Sequence, residues 1–262
     1  MAEEHRALPL ARRGIVITRP SAQAAGLARL VEALGGRAIL FPVIEIVDVP
    51  DRCAVNALID RLAKFDIAIF VSPNAAVRGM AAIRARGPLP AHLSVVAIGS
   101  GSARELERQG VPAVAAPISR SDSEAVLELP VLRDVRGKRA AIFRGVGGRE
   151  LLREALTQRG AVVEYAECYQ RVRPTADVRP LLSALRDGTA DAFVCTSSEG
   201  VQNLSEILSA EGRPLLTRTP MFVPHPRIAA AAVRLGIERV IVTERGDEGI
   251  ARSLEAHFAA VA

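Results

Sequence analysis

The sequence predicts an α/β fold made of two similar halves, each built on a parallel sheet. Three observations carry that expectation. First, motifs recur at a near-constant offset: Arg19 matches Arg144 and Gly35 matches Gly160 at 125 positions, Ser72 matches Thr196 at 124, and Gly110 matches Gly236 at 126. That offset is far longer than the roughly 20 to 50 residues of solenoid repeats, so it reads as duplication of a whole half. Second, short apolar strands alternate with helical segments inside each copy, which implies parallel strands joined by right-handed crossovers. Third, the hydrophobic fraction is 49% of 262 residues while aromatics are 3% and Trp is absent. Such aliphatic-rich composition suits buried parallel strands covered by Ala- and Leu-rich helices.

Taken in order, the first copy opens with the strand of "IVITRP" from Ile15 and turns at Arg19. It then runs the amphipathic helix of "SAQAAGLARLVEAL" to Gly35. A long extended segment follows, "RAILFPVIEIVDVP". The strand of "DIAIFV" from Asp66 meets Ser72-Pro73, a capping hydroxyl before Pro at the first helical position. "SVVAI" comes next, with Ser100 and Ser102 after Gly99 and a helix reaching Gly110. "SDSE", Ser121 to Glu124, is a capping box. The second copy repeats the order from Ala140: strand, Arg144, a turn of Gly145, Gly147 and Gly148, then a helix with Leu151, Leu152, Ala155 and Leu156 on one face. After Gly160 runs the second long segment, "AVVEYAECYQRVRP". "DAFV" from Asp191 ends at Thr196-Ser197-Ser198, and "PMFV" ends at His225-Pro226.

The two long segments exceed the five or six residues of a typical strand and hold the same place in each copy. Pairing them as a two-stranded ladder would carry the chain out of one domain and into the other. The expected domains are therefore discontinuous, 1–44 with 172–262, and 45–171 as an insert. The glycine turn aims unpaired N–H groups and a helix dipole outward, a geometry that receives an anion. A dinucleotide pyrophosphate would require a third small residue at position 150, which is Glu150. An ordinary βα turn is the simpler reading. Ligands of such sheets bind beyond the carboxyl ends of the strands. Each cap alone is helix capping; two sets of them together could line one cleft with donors.

The net charge of +5 favours an acidic partner: nucleic acid, an anionic membrane or a polycarboxylate. Arginine supplies most of it and is scattered, without a Lys/Arg block or aromatics to stack bases, which argues against nucleic acid. Cys53, Cys168 and Cys195 are too few and scattered for a disulfide framework or a Cys-x-x-Cys site, and His5, His92, His225 and His257 lack ligand spacing. The start "MAEEHRALPLARR" has no apolar core of a signal peptide, and no run approaches the about 18 apolar residues of a membrane span. A reduced, soluble, cytoplasmic protein is expected.

The pieces "ITRP", "PVIEI", "FVSPNAAV", "AIGSGSARELERQG", "RGVGGRELLREALTQRGAVVEYAECYQR" and "TSSEGVQNL" run in this order from Gly14 to the last helix. In that order and spacing the chain resembles the uroporphyrinogen-III synthase family. The resemblance implies two flavodoxin-like, Rossmann-like α/β domains with parallel sheets, joined by the two-stranded ladder, with the active site in the cleft between them. It implies a cyclising lyase acting on hydroxymethylbilane, a linear tetrapyrrole rich in carboxylates. Loss of the terminal hydroxyl gives an azafulvene-type cation; attack by the last pyrrole gives a spirocyclic intermediate that recloses with that ring inverted. The task is conformational control plus stabilisation of the cation, and no metal, nucleotide or other cofactor is implied.

Under the resemblance, the anion at the glycine turn is a propionate or acetate arm. Gly145 would meet it through backbone, and Arg19 and Arg144 would add bidentate contacts. Tyr169 of "ECYQR" matches the family's tyrosine, which faces the cleft and assists departure of the hydroxyl; read as a linker tyrosine, it only packs. Tyr165 is the lesser match. Ser72, Asn74, Thr196, Ser197 and Ser198 match two strand-to-helix turns that contact carboxylates. Ser100 and Ser102 belong to a third, with Ser102 where the family often has Thr. "PHPRIA" replaces a hydroxyl-bearing turn of some relatives, leaving His225 and Arg227 to offer hydrogen bonds, or His225 to act only as a cap. The implied partner is the small-molecule bilane, handed over to a monomer by the enzyme that makes it, with no nucleic acid or membrane. The main alternative is a two-lobed sensor closing on a small anion without catalysis. A nucleotide-dependent oxidoreductase is disfavoured by Glu150 and by the glycine-free turn "TRPSAQ".

Overall fold

The computed structural model describes residues 8–118 and 122–260. In chain order they form β1 (Gly14–Ile17), α1 (Ser21–Ala33), β2 (Arg37–Leu40), β3 (Glu45–Asp48), α2 (Cys53–Ile59), β4 (Ile67–Phe70), α3 (Pro73–Arg84), β5 (Ser94–Ala97) and α4 (Ser100–Arg108). There follow α5 (Ser123–Leu127), β6 (Arg139–Gly145), α6 (Leu151–Gln158), β7 (Val162–Val172), α7 (Arg179–Arg186), β8 (Ala192–Val194) and α8 (Ser198–Arg218). The chain ends with β9 (Met221–Val223), α9 (Pro226–Arg234), β10 (Val240–Val242) and α10 (Asp247–Ala259). The chain divides into two compact units, one of the residues up to Glu45 with those from Val172 onward, the other Ile46–Arg171.

The first unit holds the sheet β10-β9-β8-β1-β2 and the second the sheet β3-β7-β6-β4-β5. Pairing is parallel at β1 with β2 and β8, at β9 with β8 and β10, and at β6 with β4 and β7, and of β4 with β5. The expected α/β fold with parallel sheets is what the chain adopts. Duplicated strands take the same order: β9-β8-β1-β2 in one sheet answers β5-β4-β6-β7 in the other. Even the outer strand β10 has a remnant, a parallel bridge of Ala115 to Val96 beside β5.

Alternation fixes the two faces of the second sheet. Ala68, Phe70, Ala141 and Phe143 join one apolar cluster with α3, while Ile67, Ile69, Ala140 and Ile142 join another with Leu152 and Leu156 of α6. A strand covered on both faces is continuously apolar, and each fully buried Ile or Phe contributes about 1.5–3 kcal/mol. Phe70 and Phe143 stack with centroids 4.5 Å apart, and Gly79 of α3 sits on them so closely that a Cβ would lie 2.8 Å from Phe143 Cδ1. The duplication reaches side chains that the sequence comparison did not single out. Asp66 accepts the Arg139 N–H that begins β6, and Asp191 accepts the Gly14 N–H that begins β1, both at 2.8 Å. Gly35 and Gly160, paired in the repeat, follow the helix ends at φ 84° and 88°, where a side chain would be strained.

One expectation needs correction. "RAILFPVIEIVDVP" is not one overlong strand. Phe41 and Val43 donate to Ile17 and Thr18 beyond the end of β2, Pro42 between them has no N–H, and regular structure resumes only at β3. The second segment is continuous, 11 residues long, but its pairing with β6 runs as far as Tyr169, and β3 flanks it on the other side. That pairing has a bulge: Arg144 opposes Glu167, and Gly145 opposes Tyr169, leaving Cys168 without a counterpart. Ser121, first residue of the expected capping box, lies outside the described residues, as does His5; α5 is capped by Asp122, which accepts from Ala125 N–H at 2.8 Å.

Candidate active site

Three strand-to-helix turns of the second unit carry candidate residues. At the end of β4, Ser72 is in extended conformation and its Oγ accepts the Ala75 N–H at 2.9 Å, with Pro73 opening α3. Asn74 follows in the first turn, half-buried. At the end of β5, Gly99 caps α4 without a side-chain bond; Ser100 is exposed, while Ser102 is 2% exposed and its Oγ has no hydrogen-bond partner among the described residues. At the end of β6 lies the glycine turn.

Arg144 and the glycine turn use one another. Arg144 is 4% exposed, and its guanidinium donates to the carbonyls of Gly145, at 3.2 Å, and Gly147, and to Glu150 Oε1 at 3.1 Å; Glu167 is 3.9 Å away. A Cβ on Gly148 would stand 2.9 Å from Arg144 Nη2. Tyr165 stacks 4.3 Å from the guanidinium and donates its hydroxyl to Glu150 Oε2 at 2.8 Å. Burial, then the Glu150 bond, push the Tyr165 phenol up to about 12, and that same bond first, with Arg144 beside it, holds Glu150 below the usual carboxylate range. The carboxylates nearest this turn are the chain's own. Glu150, where a dinucleotide fingerprint requires a small residue, anchors this network instead.

Tyr169 sits on the other side of the sheet. The bulge at Cys168 turns its ring into the cluster with Ala166, Phe70 and Phe143, while Tyr165 packs against the α6 cluster. The ring is 1% exposed, its Oη lies 2.9 Å from Ser72 Oγ, and Arg171 approaches its centroid at 5.9 Å. Gly145 is its seat, since a Cβ there would be 2.7 Å from Tyr169 Cε2 and Cζ. The structure thus brings Tyr169, Ser72 and Gly145 together; the sequence placed them in separate roles.

In the first unit, Arg19 donates to Asp247 Oδ1 at 2.5 Å with 14% of its side chain exposed, so it too is engaged by an internal carboxylate at a helix start. Gly26 makes room for that carboxylate, because a Cβ would lie 2.6 Å from Asp247 Oδ2. Of Thr196, Ser197 and Ser198, Ser197 is the cap of α8, accepting Gly200 N–H at 2.9 Å. His225 caps α9 through Nδ1, which accepts the Arg227 N–H at 3.0 Å, and the Arg227 side chain is exposed. Local capping was legible for these residues; the acidic partners of Arg19 and Arg144 were not, since Asp247 is 228 positions away in sequence.

A pocket of about 430 Å³ lies in the second unit between the Pro50–Val55 segment and Val146, Tyr165 and Glu167, and none of the residues expected to bind substrate lines it. Among the described residues no group of His, Cys, Asp or Glu is arranged to hold a metal, and no helix is long and apolar enough to cross a membrane. All three cysteines are free; burial pushes the Cys168 and Cys195 thiols up to about 12.

Comparison with known proteins adds to this geometry. The family model "Uroporphyrinogen-III synthase HemD" matches residues 25–249. A uroporphyrinogen-III synthase of Salmonella typhimurium is 35% identical over 92% of this chain and 99% of its own length; that of Escherichia coli is 30% identical over the same shares. Two solved structures share the fold. One is a mutant uroporphyrinogen III synthase of the extremely thermophilic bacterium Thermus thermophilus, with TM-score 0.62 and 24% identity over 95% of this chain and 98% of that one. The other is the uroporphyrinogen-III synthetase of Helicobacter pylori, with TM-score 0.60 and 14% identity over 94% and 99%.

Proposed function

We infer the activity of this chain from its family: it belongs to the uroporphyrinogen-III synthase family, and it cyclises hydroxymethylbilane to uroporphyrinogen III with inversion of the terminal ring and loss of water. The observation that carries the reading is 35% identity to a synthase matched over 99% of its length. The reaction asks a protein for many hydrogen-bond donors that hold carboxylate arms and for control of the folded bilane. Backbone N–H groups at the starts of α3, α4, α8 and α9 are suited to that work, with hydroxyls of Ser72, Ser100, Ser102, Thr196, Ser197 and Ser198 beside them. Asn74, His225 and Arg227 extend the same set. Arg144 enters this reading as the organiser of its turn, because its Nε, Nη1 and Nη2 already serve Glu150 and the glycine carbonyls, while Arg19 gives Nη1 to Asp247 and extends the donor set with the rest of its guanidinium.

The reading includes two flavodoxin-like domains, 1–44 with 172–262 and 45–171, linked by a two-stranded ladder; the compact units divided after Glu45 and at Val172, and β3 lying beside β7, support it. It also makes the chain a cytoplasmic monomer, without a cofactor, that takes its bilane from the enzyme producing it. The test is direct. Purified protein is given hydroxymethylbilane with no metal or nucleotide, products are oxidised, and porphyrin isomers I and III are separated. Isomer III should rise far above the spontaneous level. Product no richer in isomer III than the uncatalysed mixture would refute the activity, and restoration by zinc after chelation would refute the cofactor-free reading.

A further inference from the structure

The phenol of Tyr169 is buried and meets Ser72 Oγ at 2.9 Å, which is its hydrogen-bond partner among the described residues. Ser72 Oγ also accepts the Ala75 N–H. A serine hydroxyl has one proton and two lone pairs, and a buried donor left without an acceptor costs about 1–3 kcal/mol. If Ser72 donated to Tyr169, the phenol proton would have nowhere to go. The accounting closes in the other direction: Tyr169 donates to Ser72, both lone pairs of Ser72 are used, and its own O–H is directed elsewhere. Ser72 is half-buried at the carboxyl end of β4, so its proton is the one a ligand can meet.

We propose that Ser72 is the catalytic residue that protonates the departing hydroxyl of the bilane, and that Tyr169 is a positioning residue that acts through it. The proposal rests on the synthase reading above. Ser72 O–H gives its proton to the terminal hydroxyl as the C–O bond breaks; water leaves with that bond's electron pair, and the pyrrole nitrogen's pair forms the azafulvene-type cation. The Tyr169 proton refills Ser72. The developing phenolate is offset by the positive end of α3 and by Arg171 at 5.9 Å from the ring centroid. When the inverted ring closes the macrocycle, the pyrrole carbon that makes the new bond to the cationic methylene loses its proton to regain aromaticity, and that proton returns through Ser72 to Tyr169. Protons taken and returned balance, and no oxidant or reductant enters.

Ser72 also caps α3, so the test separates a cap from a proton donor. Asn caps helices as well as Ser and can accept from Tyr169, but its amide does not transfer a proton. Steady-state kinetics with isomer analysis on Ser72→Asn, Ser72→Thr, Tyr169→Phe and the Ser72→Asn/Tyr169→Phe double variant make the experiment, beside thermal melts. Ser72→Asn should melt like the native protein and lower kcat about 100-fold with KM little changed. Tyr169→Phe should cost less, because Ser72 still carries its own proton, and the double variant should be no worse than Ser72→Asn alone. Ser72→Thr should recover most of the lost turnover. Native kcat in Ser72→Asn, a larger loss in Tyr169→Phe than in Ser72→Asn, or losses that multiply in the double variant would each overturn the relay. Failure of the unsubstituted protein to enrich isomer III would instead remove the synthase reading, and the relay with it.

Discussion

Replacing Arg144 by Ala should unfold the second unit more readily without first weakening substrate capture. Arg144 is 4% exposed, and its guanidinium serves two turn carbonyls and Glu150. Hydrogen bonds from a charged donor are worth about 1.5–3 kcal/mol each, which sets an upper bound of about 3–6 kcal/mol for the two carbonyls. The turn borders solvent, with Gly147 exposed, so water can replace part of this and roughly half survives as net loss. Glu150 is about half exposed, so that ion pair adds little. Stacking on Tyr165 adds about 1 kcal/mol, and the net cost is near 3–4 kcal/mol. At about 3 °C per kcal/mol, the melting transition should fall by about 10 °C. Arg144→Lys should lie between, because a single ammonium cannot reproduce the fork. Circular dichroism melts, paired with kcat and KM measured well below the transition, make the assay. A variant with native melting behaviour and a raised KM would put Arg144 on a substrate carboxylate and refute this assignment.

Other outcomes follow from the same geometry. Gly145→Ala should displace the Tyr169 ring and cost about 1–3 kcal/mol by overpacking, with kcat falling alongside; unchanged stability would show that the ring can yield. Tyr165, whose folded pKa of about 12 lies above the ordinary 10, contributes stability in full below pH 10 and loses it as pH climbs towards 12; urea midpoints across that range should fall less steeply in Tyr165→Phe. Native protein treated with a thiol reagent near neutral pH should modify Cys53 alone, because Cys168 and Cys195 are buried; three reactive thiols would contradict their placement. Asp66→Ala and Asp191→Ala should each cost about 1–3 kcal/mol and speed amide exchange at Arg139 and Gly14 respectively, and equal exchange rates before and after substitution would deny the strand-start role.

What could be read from the sequence was local or repeated. Ser72-Pro73, Ser197 and His225-Pro226 announce helix starts because the capping chemistry lies within three residues. The alternation of strands and helices in each half followed from the duplication, since the same apolar runs recur along the chain, whereas the order of strands within each sheet came from the structure. The partners of Arg19 and Arg144 were hidden for a different reason. Arginine at the end of a strand in a basic chain suggests a clamp for an outside anion, yet both side chains meet carboxylates at the starts of helices α10 and α6. Only the direction of the glycine carbonyls, which no spacing rule supplies, shows that Arg144 closes its own turn. The neighbour of Gly145 was hidden in the same way, since the space it leaves belongs to a ring 24 positions on.

The unpaired Cys168 also bears on how this strand is compared with others. Tyr165 and Tyr169 have the same parity, so simple alternation puts them on one side of the sheet, yet they stand on opposite sides. One extra residue in β7 decides which phenol meets α3 and which meets Arg144. In a chain of this architecture whose corresponding strand pairs without interruption, a tyrosine at the same count would emerge among the α6 contacts. Its functional counterpart would stand one position away. Correspondence between such chains must therefore be drawn along the hydrogen-bonded ladder, because counting residues exchanges the two sides of the sheet.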